Sequence, residues 1–151
     1  MNTSQLGNIG EVNTLRVLVE HNIPVYTPYG DGNEVDLIAI INNKCIKIQV
    51  KTTEKVHDNT LMTWKLGKQA GFHGSKVQYD EQSIDYFALY CVENDVLCFV
   101  PNTKGMTMSY SIRTDNYDGV RINTMHFASD FTLDKMIMEW GSDSGTRSTM
   151  S

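Results

Sequence analysis

Asp36 and the segment Ile48-Gln49-Val50-Lys51 hold the residue types best suited to chemistry. The apolar stretches on either side of Asn42-Asn43 read as a β-hairpin, because asparagine tolerates the positive φ of a two-residue turn. If that turn pairs Ile41 with Lys44, counting outward sets Asp36 opposite Gln49, where Cβ atoms stand about 4.5–5.5 Å apart. Gln49 and Lys51 are two apart and share one face, while Leu37, Ala39, Ile41, Ile46, Ile48 and Val50 take the other. A carboxylate, an amide and an ammonium then converge. Oxygen ligands for a hard cation such as Mg²⁺, with an amine beside the reacting phosphate, are what phosphodiester hydrolysis requires. Glu11 joins them at i, i+4 and i+7 with Leu15 and Leu18, on the sheet-facing side of a first helix. An unpaired carboxylate there is costly, and a metal would offset the cost. Gly7 and Gly10, in the same turns, would let helix and hairpin, or helix and DNA, approach closely.

The elements that position these groups follow from patterning. The first helix is expected over about 5–21, with Val12, Leu15, Leu18 and Val19 as its apolar stripe and Asn22 and Pro24 as its stop. A short strand at 25–29, a turn at 30–33 and a strand at 34–41 lead into the hairpin. Residues 55–80 are irregular, with 61–64 as a candidate strand. The aromatic-rich runs 84–91 and 96–100 flank Glu93-Asn94-Asp95 as a second hairpin, and a final helix is expected at about 132–140. This order predicts an α/β (α+β) fold, a mixed β-sheet flanked by helices. With 151 residues the chain suits one domain over 1–140, followed by a loose Ser/Gly/Thr tail at 141–151.

Composition narrows the function classes. The net charge is -5, yet residues 44–79 carry seven lysines against only Glu54 and Asp58, for +5. That block suits phosphate contact inside an otherwise acidic chain, although a solvated lysine face has the same charge. Cys45, Cys91 and Cys98 lack metal-ligand spacing and read as reduced, buried thiols. No phosphate-cradling GxxxxGK[ST] loop, membrane-spanning run or secretory leader is visible, so a cytoplasmic location with no membrane partner is expected.

Gly10-Glu11, Pro28-Tyr29-Gly30-Asp31, Glu34-Val35-Asp36-Leu37, Ile48-Gln49-Val50-Lys51-Thr52 and Ile84-Asp85-Tyr86-Phe87 together resemble the PD-(D/E)xK nucleases, especially the small group I intron homing endonucleases of cyanobacterial type. The likeness spans roughly residues 7 to 101. It implies a restriction-endonuclease-like core in which Asp36 is the motif aspartate, Gln49 stands at the second acidic position, Lys51 is the lysine and Glu11 the helical carboxylate. Val35 replaces the motif proline, and Gln49 is neutral where most members carry an acid.

The combined expectation is a Mg²⁺-dependent, site-specific double-strand DNA endonuclease, with other divalent cations as substitutes. Glu11, Asp36, Gln49 and Lys51 are its catalytic residues, and Glu11, Asp36, Gln49 and the Val50 carbonyl its metal ligands. DNA contacts are expected from Tyr29, Asp31 and Asn33, from Lys55, Trp64, Lys65, Lys68, His73 and Lys76, and from Lys104 and Arg113. One site cuts one strand, so a homo-oligomer, dimer or tetramer, is expected. The rivals are a Holliday-junction resolvase and a DNA-binding module with a dead site.

Overall fold

The computed structural model describes residues 1–30, 32–70, 75–77 and 83–141, with side chains except in 68–70 and 75–77. Helix α1 (Thr3–Glu20) begins at a reciprocal cap in which Gln5 N donates to Asn2 Oδ1 at 2.9 Å and Asn2 N to Gln5 Oε1 at 3.0 Å. It ends at His21, and Asn22 turns the chain away with φ 58°.

The face of α1 that packs inward is Gly10, Thr14 and Leu18. This corrects the expected stripe: Leu18 is buried, but Val12 is 63% and Val19 56% exposed. Close approach explains the difference. A Cβ added at Gly10 would stand 1.9 Å from Thr52 Oγ1, so only small residues let the helix lie this near the sheet, and the larger ones turn outward. Gly7 plays no such part, since nothing lies within 4 Å of its would-be Cβ.

Strands β1 (Val25–Tyr26), β2 (Leu37–Ile41) and β3 (Lys44–Thr53) follow. Both β1 and β2 are shorter than their sequence runs. Asn42 and Asn43 adopt φ 57° and 63°, the left-handed pair that a type I′ hairpin turn needs. Pairing runs from Ile41↔Lys44 to Leu37↔Ile48, the register expected from the turn. The far end of this hairpin is tied down, because Asn42 Nδ2 donates to the Trp140 carbonyl at 3.2 Å.

Next come β4 (Leu61–Lys65), the short pair β5 (Lys68–Ala70) and β6 (Ser75–Val77), β7 (Tyr86–Cys91), β8 (Val96–Pro101), β9 (Ser109–Arg113), a 3-10 turn (Ala128–Phe131) and α2 (Leu133–Gly141). The main sheet has the order β1-β2-β3-β7-β8. It is mixed, as expected, because β3 and β7 are parallel and the other pairs antiparallel. Separately, β4 pairs with β9.

Alternation gives the sheet two differently covered faces. On one, Ile46, Ile48, Val50, Tyr86 and Ala88 pack with Leu18 of α1 and Leu133 and Met136 of α2. The other carries Gln49 and Lys51, and beside them Phe87 and Leu89 of β7. There Phe87, Leu89 and Cys91 bury Met62, Trp64, Tyr110 and Ile112 of the β4–β9 ribbon. Both helices therefore share one face, and the ribbon covers part of the other. Cys91 and Cys98 are buried and free, but Cys45 is exposed, contrary to expectation. Of the expected tail only Gly141, the end of α2, belongs to the described residues. No helix among the described residues is long and apolar enough to cross a membrane.

Candidate active site

Asp36 sits where β2 begins. Its N–H donates to the Ile48 carbonyl at 2.8 Å, which fixes the backbone one step beyond the last ladder pair. Its Oδ2 accepts from Gln49 Nε2 and from Val50 N–H, both at 2.8 Å. The cross-strand opposition inferred from the turn is thus a direct carboxylate–amide contact. Gln49 Nε2 also reaches the Val50 carbonyl at 3.4 Å.

Burial dominates the electrostatics of both acids. Burial raises the Asp36 carboxyl above the ordinary carboxylate range, against opposing contributions from the Val50 N–H and the Lys51 ammonium. Burial also raises Glu11, and the Asp36 charge adds to that rise. Glu11 therefore senses the Asp36 charge, and Asp36 senses the Lys51 ammonium. Gln49 Oε1 is buried and accepts no hydrogen bond. Two carboxylates, a backbone carbonyl and an amide oxygen without a hydrogen-bond partner are oxygen ligands of the kind a hard divalent cation takes. Among the described residues no group of three His, Cys, Asp or Glu gathers anywhere. A site here has to draw on the neutral oxygens of Gln49 and Val50.

The residues expected to touch DNA are scattered by comparison. Tyr29 and Asn33 are exposed; Lys65 and Lys104 are exposed as well. Lys55 is exposed with its Nζ 3.9 Å from the Glu54 carboxylate. Trp64 is a correction. It is only 2% exposed and its Nε1 donates to the Tyr90 carbonyl at 2.9 Å, because alternation in β4 points Met62 and Trp64 into the core. Arg113 is half-buried and already engaged, donating to Thr60 Oγ1 at 2.8 Å with its guanidinium 4.2 Å from the Tyr117 ring centre. Asp31 and His73 lie outside the described residues, as do the side chains of Lys68 and Lys76. Sequence reading also misses strand β9 altogether. The available signal was its alternation, Ser109-Tyr110-Ser111-Ile112-Arg113, too short to stand out without its partner.

A mixed sheet that presents an aspartate and a Gln-x-Lys pair on adjacent antiparallel strands, beside a helical glutamate, defines the restriction-endonuclease-like class of nucleases. The model of the PD-(D/E)XK endonuclease family matches residues 1–134, and the chain belongs to that family. It is accordingly a nuclease, with DNA as its substrate class, in a family that generally uses divalent metal ions. No curated protein sequence matches it. Among solved structures, that of the bacterial homing endonuclease I-Ssp6803I is similar at a TM-score of 0.75 and 13% identity, covering 95% of this chain and 99% of that one. At that identity the likeness speaks for the fold.

Proposed function

We propose that the chain is a Mg²⁺-dependent, site-specific endonuclease of the homing type that cuts both strands of duplex DNA. The observation that carries this reading is the convergence of Asp36, Gln49 and Val50 within hydrogen-bond distance, with Glu11 and Lys51 on the same charge cluster. Asp36, Glu11, Gln49 Oε1 and the Val50 carbonyl would hold the cation. When bound, a divalent ion supplies an activated water and neutralises charge developing on the phosphate. Lys51 sits two residues along the strand from Gln49, places a fixed positive charge at the same phosphate and orients the attacking water. The Val50 N–H and the Gln49 amide hold Asp36 in one rotamer, so its carboxylate is aimed before substrate arrives.

Cutting two strands calls for a second copy. The exposed α1 stripe Val12, Leu15 and Val19 supports a homo-oligomer, since large apolar side chains at i, i+3 and i+7 form a seam that a second copy can bury. A plasmid incubated with Mg²⁺ or with EDTA tests the reading. Linearisation by the native chain with Mg²⁺, and its loss in Asp36→Asn and Lys51→Ala, is the expected result. Unchanged cutting in both variants rejects the site. A native chain that cuts no DNA points to a dead binding module, and preference for branched junctions over linear duplex in competition points to a resolvase.

A further inference from the structure

The β4–β9 ribbon has one face committed to the core, where Met62, Trp64, Tyr110 and Ile112 are buried. Its other face presents Leu61, Thr63 and Lys65 from β4, paired with Arg113, Ser111 and Ser109 from β9. Thr63 and Ser111 are locked together, hydroxyl to hydroxyl, at 2.8 Å. A cleft of about 300 Å³ adjoins this face, with Ser109, Ser111 and Arg113 of the ribbon on one side and Thr124 and His126 among its other polar lining. No carboxylate lines it, in a chain of net charge -5. The ribbon also lies on the sheet face that carries Gln49 and Lys51, whose strand neighbours Phe87 and Leu89 form its floor.

We propose that the outward face of this ribbon enters the DNA major groove and sets base preference, with Lys65 and Arg113 toward the flanking phosphates. The assignment rests on the nuclease reading for the identity of its ligand. A major groove about 12 Å wide admits a two-stranded β-ribbon, and serine or threonine hydroxyls both donate to and accept from base edges. Lys65 and Arg113 stand at opposite ends of the paired segment. Four residue steps at about 3.3 Å separate those ends by about 13 Å, so the two cations bracket the hydroxyls between them. Arg113 is held by Thr60 and Tyr117, so little side-chain freedom is lost on binding. The uncharged hydroxyls between the cations read bases, whereas the cations position the duplex without reading it.

A random duplex library provides the test, selected for binding in EDTA and for cleavage in Mg²⁺. The chains compared are native, Ser109→Glu, Lys65→Ala, Ser109→Ala and, as a charge control on the far side of the sheet, Met138→Glu. The expected result is at least tenfold weaker binding by Ser109→Glu and a smaller salt slope for Lys65→Ala. Ser109→Ala should change the selected bases at a few adjacent positions, and Met138→Glu should behave as native. A native chain that binds and cuts while the Ser109 and Lys65 variants keep its affinity, salt slope and consensus overturns the ribbon assignment and leaves the nuclease reading intact. A native chain that neither binds nor cuts duplex overturns both. If Ser109→Glu melts early, Ser109→Ala decides alone: an altered consensus supports the assignment and an unaltered one rejects it.

Discussion

The β2–β3 hairpin and the β4–β9 ribbon are built on one plan and put it to different uses. Each is an antiparallel pair with one face in a hydrophobic cluster and the other outward. The hairpin's outward face gathers a carboxylate, an amide and an ammonium, groups that hold a cation and meet a reacting phosphate. The ribbon's carries hydroxyls with a cation toward each end, groups that suit recognition. Neighbouring strands supply the precision of the first, through contacts of 2.8 Å to Asp36. The second needs only a firm floor, because base edges are read by a surface and not by one atom.

Substitutions can break that division of labour. The largest effect is expected from Asp36→Asn, which should lower cleavage by about a thousandfold or more while leaving duplex binding near native, read as cleavage rate beside affinity in EDTA. Equal losses in both readouts would merge the two regions into one. Trp64→Ala should cost about 3–5 kcal/mol of folding stability, measured by denaturant unfolding, because it leaves a cavity between the ribbon and β7. A surface DNA contact at Trp64 would instead leave stability unchanged and weaken binding. Gly10→Ala should cost about 1–3 kcal/mol and slow cleavage, since the new methyl pushes α1, and Glu11 with it, off β3. Cleavage as fast as native would show that Glu11 acts from any position.

A smaller effect concerns pH. Asp36 and Glu11 hold protons more tightly folded than unfolded, so the stability they contribute is present in acid and is lost as pH rises through their raised values. Compared with the native chain, Glu11→Gln should therefore lose less stability between about pH 4 and 7, the interval that begins near the unfolded carboxylate value. Mg²⁺ should raise the native melting temperature at pH 7 and not at pH 4. Identical pH profiles for the native and Glu11→Gln chains would refute the burial-driven rise at Glu11.

How much the sequence disclosed follows the distance between partners. Asn42 and Asn43 are adjacent and their left-handed φ values set a register, so Asp36 opposite Gln49 was legible from local chemistry alone. The alternation of buried residues along β2 and β3 followed from the same count. Strand β9 was not legible, because Ser111 finds Thr63 across 48 positions and no local signal announces a partner so far away. Helix α1 misled for a different reason. Hydrophobic periodicity assumes that large residues face the core, whereas close contact with β3 required Gly10 and Thr14 there and sent Val12 and Val19 outward. The aromatic ring of Trp64 was ambiguous until β4 had a partner to define its inner face.

One consequence follows from the bond between the Asn42 side chain and the Trp140 carbonyl. A strand pair that slips by one residue turns every side chain to the opposite face. Here the turn is moored to the last helix and the other end is pinned by Asp36, so β2 and β3 behave as a beam clamped at both supports. Strain applied to the protein, by a bent duplex or by a neighbouring copy, would then be taken up in the loops around the beam before it shifted the registry of the atoms that do the cutting.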